Sequence, residues 1–169
     1  MMIIKISNLR DGEHTLQFEE SSEFVGLTEP FEGDVRLNVK LQKSHSQVII
    51  DAGLKLVCTY ECDRCGNTFT EDLETNYQIV YMFGKEPVDS EAINIVYLPV
   101  DTDKIDLKPE LRDYALLAVP MKKLCSVDCK GLCQRCGKNL NEGNCDCPEN
   151  SIDIRWQPLA DLKDKLNKK

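Results

Sequence analysis

Nine cysteines in two clusters constrain this chain more than any other feature: Cys58, Cys62 and Cys65 in the middle, and Cys125, Cys129, Cys133, Cys136, Cys145 and Cys147 near the end. Thiols at such short spacing serve either as disulfide staples in a secreted scaffold or as ligands for a soft metal. The opening Met1-Met2-Ile3-Ile4-Lys5-Ile6-Ser7 is too short in its apolar stretch for a secretory signal and reads as a strand. No apolar run reaches the ~18 residues of a membrane span. A cytoplasmic location is expected, and a reducing cytoplasm favours metal over disulfides. At 169 residues the chain can bury a hydrophobic core without staples.

The strongest ligand pattern is Cys133-Gln134-Arg135-Cys136-Gly137 followed by Cys145-Asp146-Cys147. Two short pairs can converge tetrahedrally on zinc. Four thiolates at about 2.3 Å fill its coordination and leave no position for substrate, so such a site is structural. The glycine after the second cysteine relieves the backbone where amides turn toward sulfur. Cys125 and Cys129 compete for the same role, and spacing alone does not choose four ligands from the six. Cys62-Asp63-Arg64-Cys65-Gly66 repeats the C-x2-C-G pattern, and two readings of it stay open, a second metal site or a plain turn. It would pair with Cys125 and Cys129, leaving Cys58 as the odd thiol, or else form a strand-to-strand turn without metal.

Catalytic patterns are lacking. His14 and His45 lie far apart in β-rich surroundings, and runs such as Glu71-Asp72-Leu73-Glu74 read as solvated faces. Redox chemistry at Cys62 and Cys65 would want a helix N-terminus to lower the thiol pKa, whereas Asn67-Thr68-Phe69-Thr70 follows them. A depressed thiol pKa at Cys62 would favour the redox reading. Trp156 and Tyr97 are read as packing residues. The expectation is a protein that is not an enzyme and takes no small-molecule substrate.

The fold expected is mainly β with some helix (α+β), a twisted antiparallel sheet or partial barrel with one or two helices and a C-terminal zinc-bound segment. Period-two alternation marks Val35–Leu41, and β-rich runs recur at Met2–Ser7, His14–Phe18, Gln47–Ile50, Leu54–Cys58, Asn76–Phe83 and Ile93–Leu98. A helix near 107–118 is capped by Asp106, carries Pro109 in its first turn and Leu111, Ala115 and Ala118 on one face, and stops before Pro120. Met121–Pro148 is too poor in large apolar residues to order itself without metal. A last helix starts at Pro158 with Leu159, Leu162 and Leu166 on one stripe. Two regions follow, an acidic β-rich domain over 1–120 and a cysteine-rich segment with its helix over 121–169.

Charge divides the same way. Residues 1–120 carry 11 Lys/Arg against 22 Asp/Glu, residues 121–169 carry 10 against 7, and the whole chain is at −8. The acidic part suits a basic protein and the C-terminal part suits phosphate, with Lys122, Lys123, Lys130, Arg135 and Lys138 as the candidate RNA contacts.

Three segments together, Cys62-Asp63-Arg64-Cys65, the run from Cys129 to Asn141, and Cys145-Asp146-Cys147, resemble the YceD-like large-ribosomal-RNA-subunit accumulation proteins. The family's Asp-Pro-Arg before the last helix is here Asp153-Ile154-Arg155. The resemblance implies a non-enzymatic role in accumulation or processing of large-subunit ribosomal RNA, with that RNA or a pre-ribosomal particle as partner. It also implies that the metal is a stabilising device, since some members lack the C-terminal cysteines. The alternative is an acidic binding module or chaperone for a basic ribosomal protein, without RNA contact.

Overall fold

A computed structural model of the chain describes residues 2–85, 87, 94–147, 154–159 and 162. The chain divides into two compact units, Met1–Cys125 and Ser126–Lys169; the boundary read from the sequence, 120/121, lies ahead of that division.

The first unit is built on five strands, β2 (Gly12–Ser21), β3 (Phe31–Lys43), β4 (Gln47–Glu61), β5 (Thr68–Phe83) and β6 (Ile95–Leu98), which lie side by side in that order. A second sheet pairs β1 (Ile3–Lys5) with β7 (Lys104–Asp106). The architecture is mostly β, with twisted sheets that do not close into a barrel. Alternation governs burial along the long strands, because successive side chains point to opposite faces. Val35, Leu37, Val39 and Leu41 of β3 and Ile50, Leu54, Leu56 and Tyr60 of β4 are buried on one face. β1, β7 and the helix α1 (Lys108–Ala118) contribute Ile4, Ile105, Leu111 and Ala115 to the same core. Tyr77 of β5 stacks on Tyr114 of α1, ring centroids 4.2 Å apart and planes within 2°. β3 bulges after Glu32, where Gly33, Asp34 and Val35 stand opposite Leu56 alone. Two extra residues preserve parity, so Phe31 and Val35 stay on the core face.

Several sequence expectations are corrected. Gln47–Ile50 and Leu54–Cys58 are one strand, because Ala52 keeps the inward parity of Ile50 and Leu54 while Gly53 sits on the outer face opposite Asn76. β6 pairs parallel with β5, not antiparallel; Ile93 and most of the Gly84–Ser90 turn lie outside the described residues. Only Ile3–Lys5 of the N-terminal run is a strand, and Ile6–Asn8 turns into a short 3-10 helix. The cap position of α1 is Leu107, although the Asp106 carboxylate does accept the Lys108 N–H at 3.1 Å. In the second unit a 3-10 turn covers Ile154–Trp156. Trp156 is 60% exposed, contrary to its reading as a packing residue. Gln157–Leu159 and Leu162 take helical backbone with Leu159 and Leu162 exposed, and Leu166 lies outside the described residues.

Candidate metal centre

The inward alternation of β4 runs through Cys58 and Tyr60 to Cys62, which stands one residue past the strand and is buried. The chain then turns back over Cys62–Asn67 into β5. In this turn the Cys62 N–H donates to the Asn67 carbonyl at 2.9 Å and the Gly66 N–H to the Cys62 carbonyl at 2.9 Å. Gly66 has φ +71, a conformation that a side chain would strain. The turn around Cys133 repeats this geometry: Cys133 N–H to Lys138 carbonyl at 2.8 Å, Gly137 N–H to Cys133 carbonyl at 2.9 Å, and Gly137 at φ +73. The same C-x2-C-G spacing thus produces the same knuckle in each unit.

Each knuckle meets a second pair of thiols. The Sγ atoms of Cys62, Cys65, Cys125 and Cys129 all lie within 4.8 Å of one another, and so do those of Cys133, Cys136, Cys145 and Cys147. Cys65 and Cys125 sulfurs stand 3.7 Å apart. Tetrahedral ligands at about 2.3 Å from one ion would be separated by about 3.8 Å, so the spacing suits a metal with four sulfur ligands. Cys125 and Cys129, which spacing left open, group with Cys62 and Cys65. Cys58 is left over, fully buried in the sheet core, where burial pushes its thiol pKa up.

Amide donors prepare the sulfurs for ionisation. The Cys125 N–H lies 3.4 Å from Cys62 Sγ, and with the Arg64 and Cys65 amides it holds the Cys62 thiol down at about 6. Cys133 is held down to about 6 by the amides of Cys136 and Arg135, aided by neighbouring thiols. Cys147 is pushed up to about 12, chiefly through its hydrogen bond with Cys136 and then by burial. Thiolate ligands favour this environment, since hydrogen bonds to the charged form stabilise it. The depression at Cys62 has a counterpart at Cys133 and arises from backbone amides, that of Cys125 first and those of the knuckle after it, not from a helix N-terminus, so it does not single out Cys62 for redox work.

Residues outside the cysteine pattern complete the surroundings. Asp63 and Lys123 are joined twice: the Asp63 N–H donates to the Lys123 carbonyl at 2.8 Å, and the Lys123 N–H to the Asp63 carboxylate at 2.7 Å. Lys123 Nζ lies 5.2 Å from the centre of the Tyr60 ring. Asn141 donates its amide to Cys129 Sγ at 3.3 Å and accepts the Lys130 N–H at 2.8 Å. Lys138 Nζ donates to the Asn144 carbonyl at 2.7 Å. Of the five candidate RNA contacts, Lys122, Lys130, Arg135 and Lys138 are exposed and Lys123 is half-buried; Lys123 and Lys138 are in addition engaged locally. His14 Nε2 donates to the Arg10 carbonyl, 2.8 Å away, the local role expected of a surface histidine. Cysteine spacing carried no signal for Asp63, Lys123 or Asn141.

No helix among the described residues is long and apolar enough to cross a membrane. The chain is 24% identical over 161 residues to a protein of Arabidopsis thaliana named large ribosomal RNA subunit accumulation protein YCED homolog 1, chloroplastic, covering 80% of this chain and 50% of that one. A protein of the same name from Zea mays is 23% identical, over 76% of this chain and 52% of its own. An uncharacterized Mycobacterium leprae protein is 24% identical, over 76% and 58%. The chain therefore spans about half the length of the plant relatives it matches. No solved structure matches it. The family described as large ribosomal RNA subunit accumulation protein YceD matches residues 50–163, which include both knuckles, and the chain belongs to that family.

Proposed function

We propose that this chain is a non-catalytic factor in biogenesis of the large ribosomal subunit, supporting accumulation or processing of large-subunit ribosomal RNA. The observation that carries the reading is the family match over residues 50–163, together with the names of its plant relatives. Zinc is the proposed metal at both cysteine clusters, because four thiolates around a closed site suit a soft ion that needs no redox change. A sulfur-filled site offers no open position for water or substrate, which supports a structural role and a protein without enzymatic turnover. The proposed place of action is wherever large subunits are assembled: the cytoplasm of a bacterium, or the chloroplast for relatives so named. Sucrose-gradient profiles of a depletion strain test the reading. Large subunits and their RNA are expected to fall while small subunits persist; an unchanged ratio at standard and low growth temperature would remove the assignment.

A second reading, an acidic binding module for a basic ribosomal protein, is favoured by one stretch of sequence. From Asp11 to Val35 the chain carries eight carboxylates and no lysine or arginine. Such a surface repels phosphate and attracts cationic polypeptide.

A further inference from the structure

We propose that the outer edge of β2 is a docking site for an extended, lysine- or arginine-rich polypeptide segment, which adds to the sheet as a sixth strand. The inference rests on the second reading above, and it deepens that reading by giving a place and a pairing geometry.

β2 is a ten-residue edge strand, paired with β3 on one side and, among the described residues, with no strand on the other. Its register with β3 runs unbroken from Gly12 opposite Lys43 to Ser21 opposite Asp34. Just beyond, the Ser22 N–H donates to the Gly33 carbonyl at 2.9 Å. Hydrogen-bonded pairs alternate along an antiparallel ladder, so even-numbered residues of β2 bond to β3. The N–H and C=O groups of Glu13, Thr15, Gln17 and Glu19 therefore point away from the sheet, and no backbone partner meets them among the described residues. No proline or bulge interrupts the strand, and such devices are what usually protect a long edge.

Side chains specify the occupant. Leu16 and Phe18 point to the core side yet stay half-buried, whereas Leu37 and Val39 opposite them on β3 are at most 1% exposed. The apolar layer thus reaches the edge incompletely covered, and an added strand would cover it with its own apolar residues. On the other face Glu13 and Glu19 flank Thr15 and Gln17 in the outermost row, and the cations of β3, Lys40 opposite Thr15 and Arg36 opposite Glu19, stand one strand further in. Arg36 answers Glu19 at 2.8 Å, and Glu13 has no cationic partner among the described residues. A strand that fits is basic toward the carboxylate face and apolar toward the core, alternating residue by residue. Main-chain bonds supply affinity in strand addition and alternate side chains supply selectivity.

The test uses the full chain and a peptide of about nine residues in which lysine and valine alternate. In the bound strand the lysines face the carboxylates, so their N–H groups pair with Glu13, Thr15, Gln17 and Glu19, while the valine N–H groups lie on the far edge. Binding followed by anisotropy should weaken with salt, and hydrogen exchange at the Thr15 and Gln17 amides should slow. N-methylation at the lysines should cost about tenfold in affinity, and N-methylation at the valines less than about twofold. Gln17→Pro, which removes an outward donor and leaves the bonds to β3 intact, should cost a similar tenfold, with Gln17→Ala as the control. Peptide binding that survives lysine N-methylation and Gln17→Pro would overturn edge pairing while leaving an acidic binding module standing. Absence of binding at millimolar peptide and low salt would overturn both. Protection of the same amides by a single-stranded ribo-oligonucleotide and not by the peptide would overturn the choice of partner.

Discussion

Asp63 and Lys123, sixty positions apart in the chain, exchange two hydrogen bonds, one from each backbone N–H. They hold the knuckle of Cys62 and Cys65 against the segment that delivers Cys125. A carboxylate that accepts a backbone donor beside a metal ligand acts on the metal indirectly, and loss of such a partner typically costs ten- to a hundredfold in metal affinity. Asp63→Ala is expected to release metal from the first cluster about ten times more readily than wild type in a chelator competition, with the second cluster unchanged. Asp63→Asn keeps an acceptor oxygen and should recover most of the loss.

Metal content follows from the grouping of thiols. Wild-type protein purified without chelator should carry two equivalents of zinc by mass spectrometry of the intact protein. Cys62→Ser with Cys65→Ser should remove one, Cys133→Ser with Cys136→Ser the other, and Cys58→Ala neither, since Cys58 lies in the sheet core. Loss of both equivalents from either double variant would mean that the clusters are not independent sites.

What the sequence disclosed depended on how local the physics is. A C-x2-C-G knuckle is fixed within six residues, by two hydrogen bonds and a glycine at positive φ, so it is legible at Cys62 and at Cys133 from the sequence alone. The partnership of Cys65 with Cys125 depends on the path of β4 and β5 and on Lys123 meeting Asp63, which no short spacing encodes. Strand alternation was clear where both neighbours bury the face, as at Val35–Leu41. It was hidden in the first half of β5, where Phe69 and Leu73 are half-buried among polar residues. Gly53 lies inside β4 although glycine is poor in strands; a Cβ there would come within 3.0 Å of Asn76 Oδ1, and the missing side chain accommodates that neighbour.

Thiol reactivity should differ between Cys133 and Cys147 in metal-free protein. Amide donors lower Cys133 to about 6, so much of it is thiolate at pH 7, whereas hydrogen bonding to Cys136 raises Cys147 to about 12 and keeps it protonated. Alkylation at pH 7 with peptide mapping should label Cys133 first, and the gap should narrow toward pH 10 as other thiols ionise. Equal rates at pH 7 would contradict the preorganisation of this knuckle. Added zinc should suppress labelling of both.

Helix α1 offers a contrast in burial on adjacent turns. Leu111 is fully buried against the sheet and Leu117 is 78% exposed. Leu111→Ala removes packed methyl groups and leaves a cavity, so a loss of about 2–5 kcal/mol is expected from denaturant unfolding of the zinc-loaded protein. Leu117→Ala should stay within about 0.5 kcal/mol. A comparable loss from both would mean that the outer face of α1 is covered in solution.

Salt dependence separates the two readings of function. Among the five candidate cations, Lys123 lies over the Tyr60 ring and the exposed Lys138 bonds the Asn144 carbonyl, which leaves Lys122, Lys130 and Arg135 as exposed cations whose side chains make no local bond among the described residues. If these three meet phosphate, the log–log slope of RNA affinity against salt should be about −2 to −3, at ~0.7–0.9 per neutralised phosphate. Replacing all three with Gln should flatten it. Replacing Lys123 should act through stability, because its ammonium lies over the Tyr60 ring next to the first knuckle. A slope near zero in wild type, with binding of a basic peptide retained, would move the chain's partner from ribosomal RNA to ribosomal protein.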